Sequence, residues 1–151
     1  MAKKPDKDES PMLKDFIEIS RILTGVEALD VKLGSQYLDR LTKSVFDPFL
    51  REILHRFGGL KGSADVAAQV KAQIVAQDTL RPTIGQIILL WYTSATQDTP
   101  PPNSSPMRFG TQEEYFSGLV WSILGAHVPG LSGGYFGHWR YPPDNEPLGK
   151  P

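Results

Sequence analysis

The chain has no cysteine. Disulfides, thiol nucleophiles, thiolate zinc sites and cysteine-ligated iron–sulfur clusters are all excluded by that one absence. The compartment stays open, because an oxidising space permits disulfides without requiring them. There is no excess of charge either: 16 basic against 17 acidic residues leave a net charge of −1. No general attraction to nucleic acid or to an anionic membrane follows from such a balance. Long apolar runs are missing too. The longest, Ile87 to Tyr92, has six residues, where a membrane-spanning helix needs about 20.

Chemistry-bearing motifs are equally scarce. Of the three histidines, His55 lies in the helical stretch LREILHRF with Glu52 one turn before it, and reads as a surface histidine with a local charge partner. A metal site would need a second ligand at helical spacing, and none is there. His127 and His138 sit in an irregular C-terminal region, where only loop geometry could bring them together on a metal or substrate. The glycine-rich GLSGGYFG lacks a strand before it, a helix after it and the Lys-Ser/Thr of a phosphate loop. Asp78 reads as a turn cap, and Asp144 and Glu146 as solvated charges rather than general bases.

What the chain does have is helical grammar. At 151 residues it is long enough for one domain and one core. The charged opening MAKKPDKDES, residues 1–10, reads as a disordered tail. Ser10-Pro11 is an N-cap followed by an N1 proline, opening a helix to about Leu23 that Thr24-Gly25 stops. Asp30 caps a second helix carrying Leu33, Tyr37, Leu38 and Leu41. Asp47-Pro48 opens a third with the stripe Phe49, Leu50, Ile53, Leu54 and Phe57, which Gly58-Gly59 ends. Ser63 caps a weaker helix, Ala64 to Gln77, whose small face of Val66, Ala67, Val70 and Ile74 makes it peripheral.

The segment from Pro82, TIGQIILLWYT, is apolar nearly all round and must be buried on most sides, inside its own domain or under a second protein. A proline-rich loop, 97–110, favours an extended course. Thr111 and Glu114 then form a capping box for a helix with Tyr115, Leu119 and Ser122 on one line and Phe116, Val120, Ile123 and Leu124 filling in, closed by Gly125. From Ala126 the pattern turns irregular. Ten of the 15 aromatic residues fall between Trp91 and Tyr141, and large rings need something to cover them. The expected architecture is all-α: a helical domain of five to six helices over residues 11–125, with a long irregular arm over 126–151 belonging to the same single domain.

Three stretches together carry a family resemblance: FIEISRILTGVEALDVKLGSQYLDRL from Phe16 to Leu41, DTLRPTIGQIILLWYTSA from Asp78 to Ala95, and YFSGLVWSILGAHVPGLSGGYFGHWRYPP from Tyr115 to Pro143. In their order, LTG–x–LD–x–LG, then IL–WYT, then LVW–G–PG–FG–W–PP, they resemble the small, or gamma, subunit of membrane-associated FAD-dependent sugar and polyol dehydrogenases. The resemblance implies a non-catalytic periplasmic subunit with no cofactor of its own. Its large partner would hold FAD and oxidise the sugar, and a cytochrome c subunit would anchor the assembly and pass electrons to quinone. Small subunits of this kind serve maturation of the large one and commonly carry a twin-arginine export signal. This chain has no Arg-Arg pair and no apolar h-region, so export information is expected on a removed segment or on the partner. Obligate interfaces are rich in Tyr, Trp and Phe, and the expected partner contacts are Trp91, Tyr92, Trp121, Tyr135, Phe136, His138, Trp139 and Tyr141. Two alternatives remain: a free-standing helical enzyme using His127 and His138, and a sugar-binding domain stacking its ligand on Trp121 or Trp139.

Overall fold

The computed structural model describes residues 10–98 and 105–126. The charged opening, residues 1–9, and the arm from His127 onward lie outside the described residues, as does 99–104. What is described is all-α apart from one two-residue antiparallel pair, β1 (Ala95–Thr96) with β2 (Arg108–Phe109).

Helix α1 (Pro11–Thr24) begins as expected: the Ser10 hydroxyl accepts the Leu13 N–H, and Gly25 closes it at φ 72°, where a residue with a Cβ would be strained. Its inner face, Leu13, Phe16, Ile17, Ile19 and Ser20, packs against α2 (Val31–Thr42), α3 (Asp47–Leu60) and α5 (Arg81–Thr93). Asp30 caps α2 by accepting the Leu33 N–H, and the stripe Tyr37, Leu38 and Leu41 is buried.

Helix α5 answers the question its composition posed. Thr83, Ile84, Gln86, Ile87, Leu90 and Trp91 are buried within the chain's own core, while Ile88, Leu89 and Tyr92 are half-covered and Gly85 faces out. Trp91 is the hub. It stacks on Phe16 at 6.5 Å between ring centroids and meets Tyr37 edge-on at 5.1 Å. Aromatic pairs at these separations favour offset and edge-to-face geometry, adding about 0.5–1.5 kcal/mol each beyond area burial.

Four boundaries depart from the sequence expectation. Helix α3 runs through Gly58-Gly59 to Leu60, because the chain turns at Gly62 instead, with φ 87°. Asp65 rather than Ser63 caps α4 (Val66–Val70), which widens into a π-helical stretch, Lys71–Val75, where single i+5 turns replace the α ladder. That helix is less peripheral than expected, since Val70 and Ile74 are fully buried and it packs on α3. Finally, the helix opened by Thr111 is two helices, α6 (Gln112–Phe116) and α7 (Leu119–Leu124). The break is at Gly118, where a Cβ would lie 2.6 Å from the Tyr92 carbonyl oxygen. Close backbone approach to the end of α5 takes precedence over helix continuity there.

Candidate partner-binding ledge

The segment after α5 is attached to the helical core at a few defined points. Ser94 ends α5 in the left-handed region, φ 57°, and its carbonyl accepts the Gly110 N–H at 3.0 Å. The buried Gln86 amide reaches out of α5 to both ends of β1, donating to Ala95 O at 3.0 Å and accepting from Gln97 N–H at 2.9 Å. The two ends of the proline-rich loop are tied together, Gln97 Nε2 to Ser105 O at 2.8 Å and Asp98 N–H to Ser105 Oγ at 2.9 Å. Thr111 and Glu114 complete the expected capping box of α6. The Glu114 carboxylate, 3% exposed, also pairs with Arg40 of α2 at 2.6 Å.

On this frame a cluster of rings forms a ledge. Tyr115 is at its centre, with Trp121 at 5.3 Å, Phe109 at 5.7 Å and Phe116 at 6.1 Å between centroids. The Trp121 indole N–H donates to the Tyr115 carbonyl at 2.8 Å, which fixes α7 against α6. Phe109 and Ile123 are each 57% exposed, Met107 is 51% and Leu124 67%. Single exposed apolar side chains are ordinary; here four fall in the one segment that carries the ring cluster, Met107 and Phe109 before α6, Ile123 and Leu124 at the end of α7.

Of the partner contacts expected from the sequence, the structure redistributes three. Trp91 is corrected outright: at 2% exposure, between Phe16 and Tyr37, it is a core residue of this chain. Tyr92 is half-buried, and its hydroxyl is spent on the Thr24 carbonyl at 3.1 Å, binding α5 to the end of α1. Trp121 is half-buried within the ledge. Tyr135, Phe136, His138, Trp139 and Tyr141, like His127, lie outside the described residues. Sequence reading passed over Met107 and Phe109, which sit in what looked like a bare connecting loop. It also assigned Ile123 and Leu124 to an inner helix face. In the structure both are exposed near the end of α7, beyond the break at Gly118.

Two depressions flank the helices. One, of about 590 Å³, opens beneath the ledge between α2, α5 and the β pair. Its cations are already paired, Arg40 with Glu114, Lys43 with Asp39, and Arg108 with Asp98. The other, of about 510 Å³, is apolar and lies between α1, α4 and α5, lined by Ile22, Leu23, Val70, Ile84 and Ile88. Burial pushes the Tyr37 phenol up to about 12; the Glu114 carboxylate adds to that and the Arg40 guanidinium opposes it. His55 is exposed, and its expected partner Glu52 is instead paired with Arg56. Among the described residues no three His, Asp or Glu side chains converge to hold a metal, and no helix is long and apolar enough to cross a membrane.

Comparison with curated proteins gives no match. A family model described as membrane bound FAD containing D-sorbitol dehydrogenase matches residues 1–114. The match spans the first two of the three resembling stretches and ends where the third begins. A Rossmann-type dinucleotide site uses a βαβ unit with free backbone N–H groups at a helix N-terminus for the pyrophosphate. The only strands described are the two-residue pair, and the polar depression offers ion-paired cations in place of free ones. With 114 of its 151 residues matched, the chain belongs to the family of the membrane-bound, FAD-containing D-sorbitol dehydrogenase.

Proposed function

We propose that this chain is the non-catalytic small subunit of an FAD-dependent sugar or polyol dehydrogenase assembly, and that it binds and stabilises the large FAD-containing subunit. The observation that carries the reading is the ledge: a Tyr115-centred ring cluster that includes the exposed Phe109, with Met107, Ile123 and Leu124 exposed in the same segment of chain. Apolar, aromatic surface of this kind at the centre of a polar rim is how stable interfaces are built. The exposed ion pair Arg108–Asp98 supplies polar surface beside Phe109. In this reading flavin chemistry and sugar specificity reside on the partner. A cytochrome c subunit would tether the assembly to the membrane from the periplasmic side, and the small chain would assist the large one in maturation and export. Tyr135, Phe136, His138, Trp139 and Tyr141 would extend the same contact.

Co-expression tests it. A tagged form of this chain should retain an untagged large flavoprotein through purification, with FAD stoichiometric to the large subunit. Leu124→Asp, which places a charge in the ledge without touching the core, should abolish that retention. Retention unaffected by Leu124→Asp would remove the ledge from the interface.

A further inference from the structure

We infer that the Arg40–Glu114 ion pair is a clasp that positions the ledge for docking, an inference that rests on the ledge being the surface that meets the FAD-containing partner. Glu114 is the one buried charged residue among the described residues. A single oxygen, Oε2, accepts from Arg40 Nη2 at 2.6 Å and from the Thr111 N–H at 3.1 Å. The carboxylate therefore serves two elements at once, capping α6 and tying it to α2. Its neighbour in sequence, Tyr115, is the ring around which Phe109, Phe116 and Trp121 gather. Where the carboxylate sits decides where that ring sits.

Two further features show that the clasp is closely fitted. Gly110 lies directly on the carboxylate: a Cβ there would be 1.5 Å from Glu114 Oε2 and 3.0 Å from the Arg40 guanidinium. Gly110 has no left-handed φ, so clearance for the carboxylate, not backbone freedom, is what requires glycine. On the other side, Arg40 stands over the Tyr37 ring at 5.8 Å, and its Nη1 is buried with no hydrogen-bond partner. The guanidinium is therefore held by this one carboxylate and one ring face. Removing the charge strands a cation in a half-buried position, a larger penalty than an exposed pair could exact. Beyond the clasp, the segment is fastened to the core by the Gly110–Ser94 hydrogen bond, the Gln86 amide on Ala95 and Gln97, the seat of Gly118 on Tyr92 and the packing of α7 on α5 through Leu119, none of which holds the Tyr115 ring itself. Freed from Arg40, the rings can reorient while the helical core stays folded.

Two variants separate the roles. Glu114→Gln keeps an oxygen to cap Thr111, as the capping box accepts Gln, and removes only the charge. Gly110→Ala leaves both charges and displaces the carboxylate by contact. The chain carries three tryptophans; with fluorotryptophan labelling of dilute full-length chain, ¹⁹F NMR resolves Trp121 on the ledge from Trp91 in the core. Both variants should shift and broaden the Trp121 resonance, leave the Trp91 resonance in place, and weaken binding to the FAD-containing partner by about tenfold or more. The double variant should be no worse than either single one, since both break the same contact. An unmoved Trp121 resonance, or Trp91 and the melting temperature moving together with it, overturns the clasp. If Trp121 moves and partner binding is intact while Leu124→Asp abolishes it, the ledge docks without the clasp and the inference is wrong. If Leu124→Asp is also without effect, the docking reading itself has failed.

Discussion

The Tyr37 hydroxyl is buried in the core without a hydrogen-bond partner among the described residues, and its pKa is pushed up to about 12 from the ordinary 10.0. The folded chain therefore keeps this proton at pH values where the unfolded chain has released it. Stability from this source is intact below pH 10 and falls as pH rises toward about 12, by ~1.4 kcal/mol per pH unit. Tyr37→Phe should flatten that alkaline loss in melts between pH 9 and about 12, at little cost at neutral pH, because it also removes an unpaired buried hydroxyl. A variant that still loses stability as steeply would place the titrating group elsewhere. Trp91 makes the opposite demand. Trp91→Ala removes the ring that joins Phe16 and Tyr37 and should cost about 3–5 kcal/mol of folding stability, read in chemical denaturation. Phe109→Ala, at an exposed ring, should cost less than about 1 kcal/mol by the same measurement. If the two losses were alike, the division into core ring and ledge ring would be wrong.

At the scale of elements, the instructive pair is α6 and α7. The capping box at Thr111 and Glu114 was legible in four residues, and so was the stop at Gly125. The break between them was not, because its cause is the Tyr92 carbonyl, a residue far away in sequence. Gly118→Ala should restore local helix propensity yet destabilise the fold, since its Cβ would meet backbone, which cannot swing aside as a side chain can. The expected loss is about 1–3 kcal/mol, the range for overpacking, with the Trp121 environment altered in near-ultraviolet circular dichroism. A gain in stability would mean that α6 and α7 can fuse. The same long-range logic applies to α4: alanine and valine suggested a peripheral helix, and the packing partner that buries Val70 and Ile74 is supplied by α3.

For the whole molecule, a domain that leaves Met107, Phe109, Ile123 and Leu124 exposed should self-associate as its concentration rises and remain monomeric within the heteromer. Analytical ultracentrifugation of the isolated chain against Leu124→Asp checks this, with the variant expected to stay monomeric. Self-association unchanged by the substitution would point to a different surface. The arm over 126–151 enters through Trp139. If it wraps the partner, Trp139→Ala should weaken the complex by about 2 kcal/mol or more while the isolated chain melts as before. Earlier melting with intact affinity would make the arm part of the chain's own core.

The sequence by itself determined the class and those helix ends whose signals are local: Ser10-Pro11, Asp30, Thr111-x-x-Glu114 and Gly25 act within one turn, and a signal that acts locally can be read locally. It also determined the family, through the stretches from Phe16 to Leu41 and Asp78 to Ala95 that the family model spans. Tertiary structure alone decided which apolar residues are core and which are surface. Trp91 and Leu124 are equally apolar on paper, and both sit at helical spacing. One lies where α1, α2 and α5 converge, and the other beyond a break imposed by a distant carbonyl. Periodicity tells a residue which side of its own helix it occupies; only the placement of the other helices decides whether anything stands on that side.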